Sequence, residues 1–180
     1  MAADRWNITP ATEDATEAIA TLHAESFKAA YVRGDGGERD ALVLAEAEEF
    51  LTPARLRDRV ALIKLSLEDP ENEFYRVAHD ESGTPIGLIY GFREDDIYEI
   101  SALYVSEEYF GKGVGEALVA SFKDWADPSL SIELGVEVDN ERAKNFYTKM
   151  GFHSLGDIRK SYFPYLTETT MTTSNQQGEK

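Results

Sequence analysis

The stretch from Ile97 to Trp125 constrains this chain more than any other part of it. Ile97 to Val105 reads as a strand with apolar residues on both faces, the pattern of a strand buried on both sides of a sheet. After a short polar break comes Phe110-Gly111-Lys112-Gly113-Val114-Gly115, and then Val114, Leu118, Phe122 and Trp125 recur at helical spacing. A buried strand that turns through glycines into a helix places the helix's unpaired N-terminal amides at the strand's end. Such a turn is a nest for phosphate: glycine lets a ligand reach the main chain, and the positive end of the helix dipole adds attraction. Lys112 adds a charge at its rim. The spacing fits neither G-x-x-x-x-G-K-[ST] nor G-x-G-x-x-G, so two common nucleotide-binding patterns are excluded. A tight turn with no ligand gives the same local pattern, and the turn alone leaves its purpose open.

The remaining elements fall on either side of this segment. Trp6 to Thr9 predicts a short strand stopped by Pro10, and Ala15, Ile19, Leu22 and Ser26 share one face of a helix. Arg33 to Asp40 reads as a glycine-rich loop before a weakly patterned helix over Ala41 to Glu49. Thr52 and Pro53 form a helix start, with Leu56, Val60, Ile63 and Leu67 as its apolar stripe. The period then changes to that of strands: Phe74 to His79 and Ile86 to Phe92 predict a hairpin. Beyond the central helix, Ile132, Leu134, Val136 and Val138 alternate with polar or small residues as in a half-buried strand. A helix over Asn140 to Met150 ends at Gly151, and Phe152 to Ile158 and Tyr162 to Met171 complete the sheet. The expected fold is a single α/β domain over residues 1–171, with 172–180 a polar, flexible tail.

Composition narrows the function. With 34 acidic against 18 basic residues the net charge is -16, which repels nucleic-acid phosphates and anionic membrane faces. The same charge suits a cationic substrate, although solubility explains it as well. There is no cysteine, so disulfides, thiolate nucleophiles and cysteine-ligated metals are excluded. His23, His79 and His153 lack metal-ligand spacing and read as surface or core residues, so no metal is expected. No apolar run approaches the ~20 residues of a membrane span, and the start carries no signal pattern; the expectation is a cytoplasmic protein.

Two linked motifs carry a family resemblance. Leu103-Tyr104-Val105 followed by FGKGVGEAL resembles the acetyl-CoA signature Q/R-x-x-G-x-G/A of the GCN5-related N-acetyltransferase (GNAT) superfamily. From Asn140 to Phe152 the elements N-x-x-A-x-x-F-Y-x-x-x-G-F stand in the order found in that family. The resemblance spans Phe74 to about Ile158. Phe110 departs from it, standing where the family usually has Arg or Gln.

The resemblance implies a mixed, mostly antiparallel sheet of about six to seven strands flanked by about four helices. It also implies that the strands Ile97–Val105 and Ile132–Val138 are parallel and splay apart to admit acetyl-CoA as co-substrate. The coenzyme would lie along Leu103, Tyr104 and Val105, with its diphosphate on residues 110–115 and Asn140 and Tyr147 beside its pantetheine arm. An N–H near Leu103 would polarise the thioester. Glu99, on the central strand, is the candidate base for an amine acceptor, burial bringing its pKa toward the working range. Tyr147 is the candidate acid for the departing sulfur. Core packing of Tyr147, helix capping by Asn140 and an arginine partner for Glu99 are the structural alternatives. The aromatic residues Tyr104, Tyr109, Phe110, Phe163 and Tyr165 would line an acceptor pocket, with Phe27, Tyr31 and the loop 33–40 covering it.

The implied activity is N-acetylation of a primary amine, of a peptide or protein, a polyamine or another small amine, by direct attack in a ternary complex, with a homodimer as the expected assembly. The alternatives are an acyl-CoA-binding sensor without turnover and a regulator whose acidic surface engages a basic protein.

Overall fold

The computed structural model describes residues 6–173. Strand β1 (Trp6–Pro10) leads into three helices, α1 (Thr16–Tyr31), α2 (Glu38–Glu49) and α3 (Pro53–Glu68). Strands β2 (Glu73–Asp80), β3 (Pro85–Glu94) and β4 (Ile97–Val105) form an antiparallel meander. Helix α4 (Val114–Trp125), strand β5 (Ser131–Glu137) and helix α5 (Glu141–Lys149) follow, and β6 (His153–Ser154), β7 (Arg159–Lys160) and β8 (Thr167–Thr172) close the sheet. The strand order is β1-β2-β3-β4-β5-β8-β6, with β7 also on β8. Among the described residues every pairing is antiparallel except that of β4 with β5. The expected mixed sheet is present, with five helices rather than four.

Local chemistry accounts for the element ends. Thr52 Oγ1 accepts the amide N–H of Arg55 and Pro53 opens the first turn of α3, where the missing proline N–H costs nothing. Gly151 takes φ 86° after α5, the left-handed geometry of a helix stop. Helix α2 begins at Glu38, three residues before the expected Ala41, because Gly37 starts it and the Asp40 carboxylate gathers the N–H groups of Arg33, Gly34 and Gly36.

The sheet divides the core in two. On one side α4 buries Val114, Leu118 and Phe122 against Ile89, Tyr98, Ile100 and Leu134, and Tyr147 of α5 joins them. On the other, Ile19 and Leu22 of α1 and Ile63 of α3 cover Tyr75, Val77 and Leu88. Each such side chain, removed from water, contributes about 1.5–3 kcal/mol.

Three expectations need correction. Strand β4 is central, but only one of its faces is buried, at Tyr98 and Ile100, while Ile97 and Glu99 on the other are half-buried; from Ser101 to Val105 it is partly exposed, because its partner leaves it there. Phe152–Ile158 is not one strand: Gly156, at φ 74°, turns the chain after β6, and Asp157 instead accepts hydrogen bonds from the amide and hydroxyl of Thr170. Strand β8 starts at Thr167 rather than Tyr162 and runs through Thr172, which is fully buried, while Thr173 donates its N–H to Ile132. Residues 172 and 173, expected to open the tail, thus belong to the sheet region, and the rest of that expected tail, 174–180, lies outside the described residues. No helix among the described residues is long and apolar enough to cross a membrane.

Candidate active site

The parallel pair defines the site. Ile97 to Ile100 pair with Ser131 to Leu134, and beyond Ile100 and Leu134 no register continues. β3 contributes to the divergence: Tyr90 faces Ala102 and Gly91 faces Ile100, so Ser101 is an extra, bulged residue on β4. The bulge changes which side chains share a face. Tyr98, Ile100, Leu103 and Val105 pack toward α4, whereas Ala102 and Tyr104 pack toward α1 and α3. The gap between β4 and β5 opens a cavity of about 450 Å³, within the usual range for small-molecule sites.

At the far end of this gap lies the glycine turn. Gly111 and Gly113 adopt φ 72° and 86°, a region L side chains avoid, and open space surrounds the position of a β-carbon on each. The amides of Gly111, Gly113, Val114, Gly115 and Glu116 find no acceptor among the described residues. They form a run of unused donors at the N-terminus of α4, the arrangement that suits an anion.

Most of the residues singled out in the sequence meet here. Glu99, Leu103, Tyr104, Val105, Phe110, Gly111, Gly115, Asn140 and Tyr147 all line the cavity. Lys112, Gly113 and Val114 stand beside it in the turn; Lys112 lies over the Tyr109 ring and Val114 is buried in the core, so only the main chain of Val114 faces a ligand. The Tyr104 side chain turns toward α1 and α3. It packs on His23 at 4.4 Å between ring centroids and hydrogen-bonds Tyr31. Asn140 is the N-cap of α5, its Oδ1 accepting from Ala143, and its side-chain N–H groups donate to nothing among the described residues.

Glu99 is half-buried where β4 and β5 are still joined, level with Glu133 on β5 and Phe92 on β3. Burial raises its pKa; the nearby Arg159 pulls it down, and Glu94, Glu168 and Glu133 push it up again. Tyr147 is 8% exposed and packs between Phe146 and Phe152. Burial, and secondarily Tyr31, raises its pKa, and burial pushes Tyr31 up to about 12, so both remain phenols at neutral pH. His23 is pushed down to about 3 by burial and by Arg59, which leaves it a neutral core residue stacked on Phe50, as its isolation in the sequence suggested.

Several lining residues were not evident from the sequence. Glu137, at the end of β5, is 6% exposed and accepts from Arg39 Nη1 at 2.8 Å, which ties the first turn of α2 to the cavity wall. Arg159 and Glu168 face each other across the same wall, Nε to Oε2 3.8 Å. The sequence signal for that pair is Gly135, a residue without a side chain inside an otherwise regular strand. Ser161 and Tyr162, also not anticipated, line the cavity beside Phe163, which the sequence had named.

The sequence profile of the acetyltransferase (GNAT) family matches residues 40–152. Over 91 residues, 48% of this chain and 56% of the other, the chain is 37% identical to an uncharacterised N-acetyltransferase of Mycobacterium tuberculosis. Over 132 residues, 63% of this chain and 36% of the other, it is 31% identical to an uncharacterised protein of Mycobacterium leprae. The chain thus spans little more than half the length of the tuberculosis relative. Among solved structures, PaiA N-acetyltransferase from Thermoplasma acidophilum, in complex with coenzyme A, superimposes with a TM-score of 0.73. Its identity is 20%, over 94% of this chain and 99% of that one. YncA of Salmonella typhimurium, solved with acetyl-CoA, gives 0.67 at 16% identity over 98% of each chain. At such identities the likeness is one of fold.

Proposed function

This chain belongs to the GNAT family of acetyltransferases, and we propose that it is an acetyl-CoA-dependent N-acetyltransferase acting on a primary amine. The observation that carries this reading is the parting of β4 and β5 after Ile100 and Leu134, with unused amides of the 111–116 turn at the end of the gap. Those amides fit the diphosphate, and the open edge of β4 from Ser101 to Val105 fits the pantetheine arm, which adds to the sheet as a strand would. The structural relatives solved with coenzyme A and acetyl-CoA support the same ligand.

The acetyl thioester would then lie between Leu103 and Tyr147, with an N–H near Leu103 stabilising the charge that develops on its oxygen. A primary amine is mostly protonated at neutral pH, its pKa being ~10.4, so a base must remove a proton before the nitrogen can attack. Glu99, held on the acceptor side of β4, takes that proton directly or through a water. The C–N bond forms as the C–S bond breaks. Tyr147, kept as a phenol by burial, first offers a hydrogen bond to the departing sulfur. Because its pKa lies above that of a thiol, it completes the proton transfer only as the nitrogen's second proton is released to replace its own.

The cavity does not present a bare acidic channel to the acceptor. Glu137 is answered by Arg39, and Glu168 by Arg159, which leaves Glu99 as the carboxylate at the acceptor end without an ion pair among the described residues. Tyr31, Phe163 and Tyr162 give the remaining wall an aromatic character. This favours a monoamine with an apolar body over a long polycation. The test is a panel of amines incubated with acetyl-CoA and read by thiol release. Amine-dependent release supports the reading; coenzyme binding with no release for any amine indicates an acyl-CoA sensor.

A further inference from the structure

We propose that Arg142 supplies the cationic contact to the coenzyme's diphosphate, held over the glycine turn by the ring of Phe110. The inference rests on the acetyl-CoA reading of the cleft. The turn itself offers amides, and the side chain at its head, Phe110, is apolar and 40% exposed at the cavity mouth. Glu116, in the first turn of α4, brings a carboxylate to the same wall and offsets the charge of Lys112 at the rim, so a further cation favours an anion there. Arg142 meets that need from another element. It stands in the first turn of α5 and places its guanidinium carbon 4.1 Å from the centre of the Phe110 ring.

Its surroundings leave this charge uncommitted. The neighbouring Glu141 pairs with Lys144, and among the described residues Arg142 makes no ion pair and no hydrogen bond. A cation in the first turn of a helix opposes the helix dipole, and here a favourable position for a carboxylate carries an arginine instead. Stacking on a ring uses only the guanidinium face; its N–H groups lie in the plane and remain directed outward, in the fork that matches phosphate oxygens. Phe110 thereby acts as a platform for the arginine, which lines the same cavity as Gly111, Gly115 and Asn140.

The test measures binding to the intact protein by calorimetry with three probes: coenzyme A, 3′-dephospho-coenzyme A and pantetheine. A charge-assisted hydrogen bond is worth about 1.5–3 kcal/mol, so Arg142→Ala is expected to weaken both nucleotide-bearing probes by roughly tenfold or more. The ratio of variant to wild-type affinity for pantetheine stays within about twofold. Placing the charge on the turn in the double variant Arg142→Ala/Phe110→Arg restores most of the loss. Wild-type affinity in Arg142→Ala, or equal loss for all three probes, overturns the inference. Loss confined to coenzyme A moves the contact to the 3′-phosphate and overturns the assignment to the diphosphate. If the wild type binds no coenzyme A, the reading of the cleft fails and this inference with it, a result distinct from binding that is indifferent to Arg142.

Discussion

Arg159 lies across the backbone of Gly135: a β-carbon on that glycine would stand 2.7 Å from Arg159 Nη2 and 2.3 Å from Glu168 Oε2. The missing side chain thus lets an ion pair lie against β5, two residues beyond Glu133, the neighbour of Glu99. Both contacts are with the ends of flexible side chains, so Gly135→Ala is expected to displace the pair at a cost of no more than about 1 kcal/mol, read as a slightly lower denaturant midpoint. An unchanged midpoint would show that the pair moves aside freely.

The same arginine has an electrostatic duty. Glu99 is faced by Glu94 from β3, Glu133 from β5, Glu168 from β8 and Arg159 from β7, and of these Arg159 alone lowers its pKa. Removing it leaves Glu99 easier to protonate, so in Arg159→Ala the acid limb of the kcat/KM profile moves to higher pH. Arg159→Lys, which keeps the charge, shifts it less. A coincident acid limb in Arg159→Ala would detach Arg159 from the base.

Glu99 itself should show opposed effects on activity and stability. Its folded pKa is raised, so the fold favours the protonated form; that contribution is complete below the unfolded value of ~4.3 and is lost as pH rises through the folded value. Above that window the ionised carboxylate weakens the fold relative to glutamine. Glu99→Gln is accordingly expected to melt higher than the wild type at pH 8, with the difference closing toward pH 4, while turnover falls by about 10²-fold or more. Equal turnover would remove Glu99 as the base.

Tyr147→Phe keeps the ring that packs against Phe146 and Phe152 and loses the hydroxyl. Turnover is expected to drop by about 10²-fold with coenzyme affinity changed less than threefold. Wild-type turnover would reduce Tyr147 to a packing residue.

Gly91 links the core to the site. A β-carbon there would meet the Glu99 carbonyl oxygen at 2.2 Å and the Phe122 ring at 2.5 Å, beside the bulge at Ser101. Gly91→Ala is expected to cost at least about 1–3 kcal/mol and to lower turnover beyond what the lost stability explains, since β3 and β4 must part where Glu99 is held. Unaltered kinetics in the folded fraction would show that Glu99 is positioned independently of β3.

How much of this was legible in the sequence follows from the range of the interactions involved. Helices α1, α3, α4 and α5, strands β2 to β5 and the stop at Gly151 are written in local periodicity and capping, and each lies near its expected place. The glycine turn and Tyr147 were visible for the same reason, since each belongs to a short motif, whereas Glu99 was singled out by its place on the central strand and the family resemblance. The segment 155–166 was not, because what shapes it is Asp157 bonded to Thr170 and Ser161 bonded to Glu168, contacts set by the folded chain rather than by pattern. Glu137 with Arg39 spans 98 residues, and no local spacing announces such a pair. Arg142 sat in plain view inside the second motif, yet only the meeting of α5 with the glycine turn brings it onto Phe110.

The most direct measurement is the affinity of coenzyme A for the wild type, Gly113→Ala and Gly113→Glu, each first checked for folding by circular dichroism. Both substitutions carry the strain of a side chain at φ 86°, about 1–2 kcal/mol, but only the glutamate sets a negative charge among the amides of the turn. Saturable binding by the wild type, largely kept in Gly113→Ala and abolished in Gly113→Glu, is the predicted result. Equal binding by all three folded proteins would contradict it and place the coenzyme, if it binds at all, away from the parting of β4 and β5.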